Sequence, residues 1–184
     1  MTALAAVPKR VYRWGALCLG LALAACASGP PTPEWQMDAH GASQKAQDAY
    51  LAGDTRVEQL EWNRAREALA RTGRLDLLAR LELLRCAGRV ARLVFEPWVG
   101  CDAGRQCARA AEKAYADYLA GQLTSQDMEL LPPAQRNAAQ ASQTDAGAQL
   151  SGIEDPLSRL VAAGVLRKTG HATPATLSIA VATA

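Results

Sequence analysis

Aromatic residues are scarce: the 184-residue chain has 4 Trp, 4 Tyr and 1 Phe. Few segments carry the Val- and Ile-rich alternation of a half-buried strand, so a β-sheet core is excluded and a helical one is expected. No apolar run reaches the roughly 20 residues that a membrane-spanning helix needs. A surplus of positive charge is also missing where it would matter. Lys9, Arg10 and Arg13 all lie in the first 25 residues, which contain no Asp or Glu, and beyond them 17 basic residues face 18 acidic ones. A remaining charge of −1 offers no electrostatic footprint for nucleic acid, whose binding is driven largely by neutralised phosphates.

Catalytic signatures are lacking too. The chain has no G-x-S-x-G elbow, no H-E-x-x-H, no glycine-rich phosphate loop and no Ser-x-x-Lys motif. His40 and His171 stand in no recognisable pattern, and the spacings of Cys86, Cys101 and Cys107, 15 and 6, do not match the paired cysteines of structural zinc sites. No catalytic residue, metal ligand or small-molecule cofactor is therefore expected. Glu58 and Glu61 are read as helix-surface residues, and Asp155 as a helix cap.

Alanine fills 39 positions, and Arg outnumbers Lys 16 to 4. Both abundant types favour helix, which points to an all-α domain, an irregular helical bundle or stacked helical hairpins. GC-rich codons would produce the same skew, so single Ala or Arg positions carry little weight on their own.

The N-terminus is an address. A basic segment (Lys9, Arg10, Arg13) precedes an apolar run from Trp14 to Ala22, followed by Leu23-Ala24-Ala25-Cys26, the layout of a secretion signal. Leu-Ala-Ala-Cys closely resembles the lipobox of bacterial lipoproteins. That resemblance implies removal of residues 1–25, diacylglyceryl transfer to the Cys26 thiol and acylation of the freed amine. Several acyl chains on one residue hold a protein firmly to a membrane, each buried methylene contributing about 0.8 kcal/mol. Ala27 stands where the family's inner-membrane retention signal would place Asp, which implies the outer membrane and a periplasmic face. Residues 26–42, opening Ala27-Ser28-Gly29-Pro30-Pro31-Thr32-Pro33, read as a flexible linker, and residues 43–184 as the helical domain.

Within that domain the spacing predicts a helix over 43–52, a stop at Gly53-Asp54, and a second helix capped by Thr55 and running to Arg71, with Trp62, Ala65 and Leu69 on its apolar face. Leu77, Leu81, Leu84, Gly88, Ala91 and Phe95 repeat at intervals of 4, 3, 4, 3 and 4, the stripe of a long central helix. Glu96 to Gly104 reads as a loop, since Pro97 and two glycines interrupt it. Helices follow over 106–120 and, as a short turn, 125–131. A polar stretch to Gln149 reads as a weak helix or mobile excursion. Asp155-Pro156 and Thr173-Pro174 each have the order of a helix start. The last segment stays apolar to Ala184, which suggests a truncated chain. Tyr-Leu-Ala-Gly occurs at 50–53 and 118–121, 68 residues apart, a faint resemblance to the doubled period of tetratricopeptide repeats.

An oxidising compartment favours disulfides. With Cys18 removed and Cys26 lipidated, Cys86–Cys101 is the expected pair, and Cys101–Cys107 is its alternative. Arg85, Arg89 and Arg92 form a row at i, i+4, i+7 beside the apolar stripe, suited to an acidic partner or a lipid phosphate, or else a solvated face with Asp76–Arg80 and Glu82–Arg85 pairs. Trp62 belongs to the core. Trp98, in its Pro/Gly loop, either plugs that core or offers a partner a hot spot. The expectation is an anchored adaptor or scaffold for an envelope protein, with an immunity or inhibitor lipoprotein and an envelope enzyme as alternatives.

Overall fold

The computed structural model describes residues 31–103, 108–141 and 144–184. The chain divides after Pro33, and the unit Glu34–Ala184 is built of helices alone among the described residues. Cys26 and Cys107 lie outside those residues. The helices are α1 (Glu34–Ala52), α2 (Thr55–Ala70), α3 (Leu75–Ala91), α4 (Val99–Ala103), α5 (Ala110–Ala120), α6 (Pro133–Gln140), α7 (Ala146–Ser151), α8 (Pro156–Lys168) and α9 (Pro174–Thr183), with a 3₁₀ turn at Met128–Leu130.

α1 and α2 form a hairpin. Ala39, Ala42 and Ala46 of α1 pack on Trp62, Ala65, Ala68 and Leu69 of α2, and Leu81 of α3 closes the cluster. Small residues on one helix let the large ones of its neighbour approach closely. Helix begins at Glu34, inside the stretch expected as linker to residue 42, because no proline follows Pro33 within it, the acidic Glu34 suits a first turn, and the single Gly41 costs only about 1 kcal/mol, which the packing of Ala39, Ala42 and Ala46 offsets. Asp54, rather than Thr55, caps α2, its Oδ1 accepting from the Val57 N–H at 3.0 Å. Both copies of Tyr-Leu-Ala-Gly end a helix in the same manner, with the glycine left-handed at φ +82° for Gly53 and +75° for Gly121.

α3 and α8 are shared walls. Cys86, Ala87 and Val90 of α3 meet Tyr118 and Leu119 of α5 and Val161 and Val165 of α8 in a second cluster. Ala162 and Ala163 of α8 meet Ala138, Leu150 and Ile153 in a third, against which Ile179 and Ala180 of α9 pack. Where α3 crosses α8, Gly164 lies directly on the Val90 carbonyl. The polar stretch after Pro133 is ordered into α6 and α7, held by buried Gln135, which accepts from the Tyr118 hydroxyl at 2.8 Å and donates to the Ser158 carbonyl at 3.0 Å. Asp155 caps α8 as expected, accepting from the Ser158 N–H at 2.7 Å, and Thr173 opens α9 in a capping box with Thr176.

α3 stops at Ala91, short of Phe95, and Pro97 is not the cause. The Val94 N–H reaches back to the Arg89 carbonyl and the Leu93 N–H to the Val90 carbonyl, both at 2.9 Å, closing the helix around a left-handed Leu93 at φ +61°. The segment 96–104, expected as loop, contains the single helical turn α4.

Candidate functional site

α3 is amphipathic on more than one side, so its arginine row faces neighbouring helices as well as solvent. Arg85 donates from Nη2 to Glu58 Oε1 on α2 at 3.1 Å. Its guanidinium lies 5.7 Å from the Trp62 ring centre and 4.8 Å from that of Trp98, with only 19% of the side chain exposed. Arg89 stacks on Trp98 at 4.9 Å. Arg92 stacks on Tyr50 at 4.9 Å and donates to the Tyr50 carbonyl at 2.8 Å. Each cation over an aromatic face contributes about 0.5–1 kcal/mol when exposed and about 2 when desolvated. The row is therefore a ladder that ties α1, α2 and the 93–103 segment to α3.

The within-helix pairs expected beside this row do not form. Asp76 pairs with Arg74 at 2.7 Å and Arg109 at 3.0 Å, Glu82 with Arg66, Arg80 with Glu112, and Arg85 with Glu58. α3 is central, so carboxylates on neighbouring helices compete with those along its own face, and a partner across an interface is better shielded from water than one on an open surface. Glu58 and Glu61, read as surface residues, are buried, the second beside Arg64 at 3.0 Å. Burial pushes the Glu112 carboxyl upward, but the Arg80 hydrogen bond, the helix backbone and the Arg80 and Arg109 charges together hold it below the usual carboxylate range. The Arg74 hydrogen bond lowers Asp76 likewise. Burial raises the Tyr115 and Tyr118 hydroxyls far above their ordinary value.

Cys86, itself buried on α3, is bonded to Cys101 of α4, with the two Cα atoms 6.0 Å apart. Between them Trp98 packs into the second cluster, half-buried, and its Nε1 has no partner. Its ring is covered by Arg85 and Arg89, so the indole is more wedge than open face. Trp62 is core, as expected. A cavity of about 360 Å³ opens beside this segment, lined by Arg89, Phe95, Trp98, Asp102, Leu119 and Lys168. Among the described residues no group of three His, Cys, Asp or Glu is placed to hold a metal ion. Cations, aromatic faces and apolar side chains are recognition chemistry, and that is what the arrangement can supply.

Sequence reasoning missed two residues here. Leu93 and Val99 are exposed at 54% and 82% on the same segment. A leucine at the position that ends a helix carries no signal of its own, since glycine or asparagine is the usual occupant. Val99 gave no periodic cue because α4 is one turn long.

No known protein family matches the chain, and neither does any curated protein or solved structure.

Proposed function

We propose that this chain is a lipoprotein anchored through Cys26 in the outer membrane, facing the periplasm, whose helical body is an adaptor that binds another envelope protein. The anchor rests on Leu23-Ala24-Ala25-Cys26 and the basic and apolar segments before it. Among the described residues no helix is long and apolar enough to cross a membrane, so attachment in this reading is the work of the lipid.

The observation that carries the binding part is large apolar side chains held out to solvent on ordered elements, Val99 on the stapled α4 and Val181 on α9 at 82% and 80% exposure. α9 has no charged residue and packs inward through Ile179 and Ala180. Side chains exposed in this way gain free energy only when another surface covers them.

The test has two arms. Labelled palmitate should enter the wild type and not Cys26→Ala. Crosslinking in intact cells, followed by mass spectrometry, should recover one dominant envelope protein with the wild type, at a level that collapses in Cys26→Ala. A label that persists in the variant refutes the anchor, and recovery of no partner refutes the adaptor.

A further inference from the structure

The cavity beside α4 is ringed by charges of both signs. Arg89 and Lys168 line it together with Glu96 and Asp102. Opposite charges around one cavity are expected to pair, because their attraction strengthens as water is thinned out between them. None does here. Among the described residues neither cation has a carboxylate within ion-pair distance, and neither carboxylate has a cation.

The separation is built into the fold. The Arg89 guanidinium is held over the Trp98 ring, 4.9 Å from its centre. Lys168 Nζ donates to the Leu119 carbonyl at 3.0 Å and lies 5.8 Å from the centre of the Phe95 ring. That carbonyl is available because α5 closes early, the Gly121 and Gln122 N–H groups turning back to the Tyr118 and Asp117 carbonyls. An ammonium has three donors, so Lys168 keeps two for another acceptor. Glu96 and Asp102 stand on the segment that the Cys86–Cys101 bond ties to α3, where the Cys101 N–H donates to the Trp98 carbonyl at 2.9 Å. The backbone that carries the two carboxylates therefore cannot swing across to the cations. The rest of the lining is largely apolar, with Leu83, Val90 and Leu119 beside the Phe95 and Trp98 rings.

This lining selects its occupant by charge. A simple anion meets two carboxylates, and a simple cation meets an arginine and a lysine. A neutral apolar molecule strips water from four charged groups and returns no hydrogen bond to them. Only a molecule with an ammonium and a carboxylate around an apolar group satisfies both sides. The volume of about 360 Å³ suits a small molecule of that kind, since such sites span about 300–1,000 Å³.

We propose that the cavity between α3, α5, α8 and the 94–102 segment binds a small zwitterion, an apolar amino acid or a dipeptide. Arg89 and Lys168 take its carboxylate, Glu96 and Asp102 its ammonium, and the aromatic rings its side chain. The site is separate from the exposed apolar residues of the adaptor reading and does not depend on a protein partner.

The purified full-length protein is titrated with leucine and with alanyl-leucine, followed by tryptophan fluorescence and checked by calorimetry. N-acetyl-leucine, which lacks the ammonium, and leucine amide, which lacks the carboxylate, are the controls. At least one zwitterion is expected to bind saturably, and each control about tenfold more weakly or less, as loss of a charged hydrogen bond requires. The tighter of leucine and alanyl-leucine tells a free amino acid from a peptide as the source. The decisive variant carries Glu96→Gln and Asp102→Asn together. Neither carboxylate has a partner in the fold, so the melting temperature should hold while zwitterion binding falls about tenfold and the preference over N-acetyl-leucine disappears. Lys168→Gln should weaken binding similarly. Absence of saturable binding by either zwitterion at millimolar concentration, controls that bind as well as the zwitterions, or binding unchanged in the double variant would each overturn the site.

Discussion

Two glycines in helices should respond to the same substitution with opposite signs. Gly41 lies inside α1, and a methyl added there would have nothing within 4 Å. Alanine in a helix interior is favoured over glycine by about 1 kcal/mol, so Gly41→Ala should stabilise the fold by about 0.5–1 kcal/mol. Gly164 lies inside α8 with the same propensity gain available. There the added Cβ would stand 2.3 Å from the Val90 carbonyl oxygen and 2.9 Å from its Cγ1. Real Cβ contacts essentially never fall below 3.0 Å, so α3 and α8 would have to part by at least about 0.7 Å. The obstacle is backbone, which cannot turn aside as a side chain does. Overpacking a close-packed core costs about 1–3 kcal/mol, and a collision with backbone belongs at the upper end. Subtracting the propensity gain leaves a net loss of about 2 kcal/mol for Gly164→Ala, or roughly 4–8 °C in melting temperature at this chain length. Urea denaturation followed by circular dichroism, at fixed pH and salt, measures both variants. A gain in stability for Gly164→Ala would refute the close crossing of α3 and α8 and with it the packing of the second cluster.

Three further outcomes follow from single features. Replacing both cysteines of the Cys86–Cys101 pair, 15 residues apart, with alanine should lower stability by about 3 kcal/mol in denaturant titrations, and reductant should then change nothing further. Because the folded Glu112 carboxyl lies below its ordinary value of 4.5, its contribution is complete above that value and is lost as pH falls through the folded one. Glu112→Gln should accordingly be less stable than the wild type at pH 7, and the difference should shrink as the solution is acidified below the ordinary carboxyl range, a trend that melting curves across the range will show or fail to show. Asp155→Ala removes the acceptor of the Ser158 N–H and should cost about 1 kcal/mol at the start of α8, with hydrogen exchange there accelerated first.

Local chemistry was legible without coordinates wherever one residue type has one use. Asp155-Pro156 and Thr173-Pro174 announce helix starts because a short acceptor before a proline satisfies a free N–H and pre-sets φ. The Trp62, Ala65, Leu69 stripe announces a buried face because the helical period brings those positions together. The Cys86–Cys101 pairing was legible for a similar reason, since a chain leaving α3 and interrupted by Pro97 can fold back along the helix. What failed were inferences about charge partners and helix ends. Asp76–Arg80 and Glu82–Arg85 fit a helix seen alone, yet Arg80, Glu82 and Arg85 each pair with a charge on another helix, and Asp76 pairs with Arg74 at the cap of its own helix and with Arg109.

For this protein, then, the sequence by itself determined the helical class, the helix starts at Asp155 and Thr173, the apolar face of α2 and the lipobox pattern, because each depends on residues within about two turns of one another or on composition. Tertiary structure alone decided that the Arg85–Arg89–Arg92 row clamps aromatic rings, that α3 ends on a left-handed Leu93, and that Gly164 is the contact point of two helices. Those outcomes depend on which distant groups arrive at the same place, and the energies that select among them, burial and charge in a shielded interface, exist only once the helices have met.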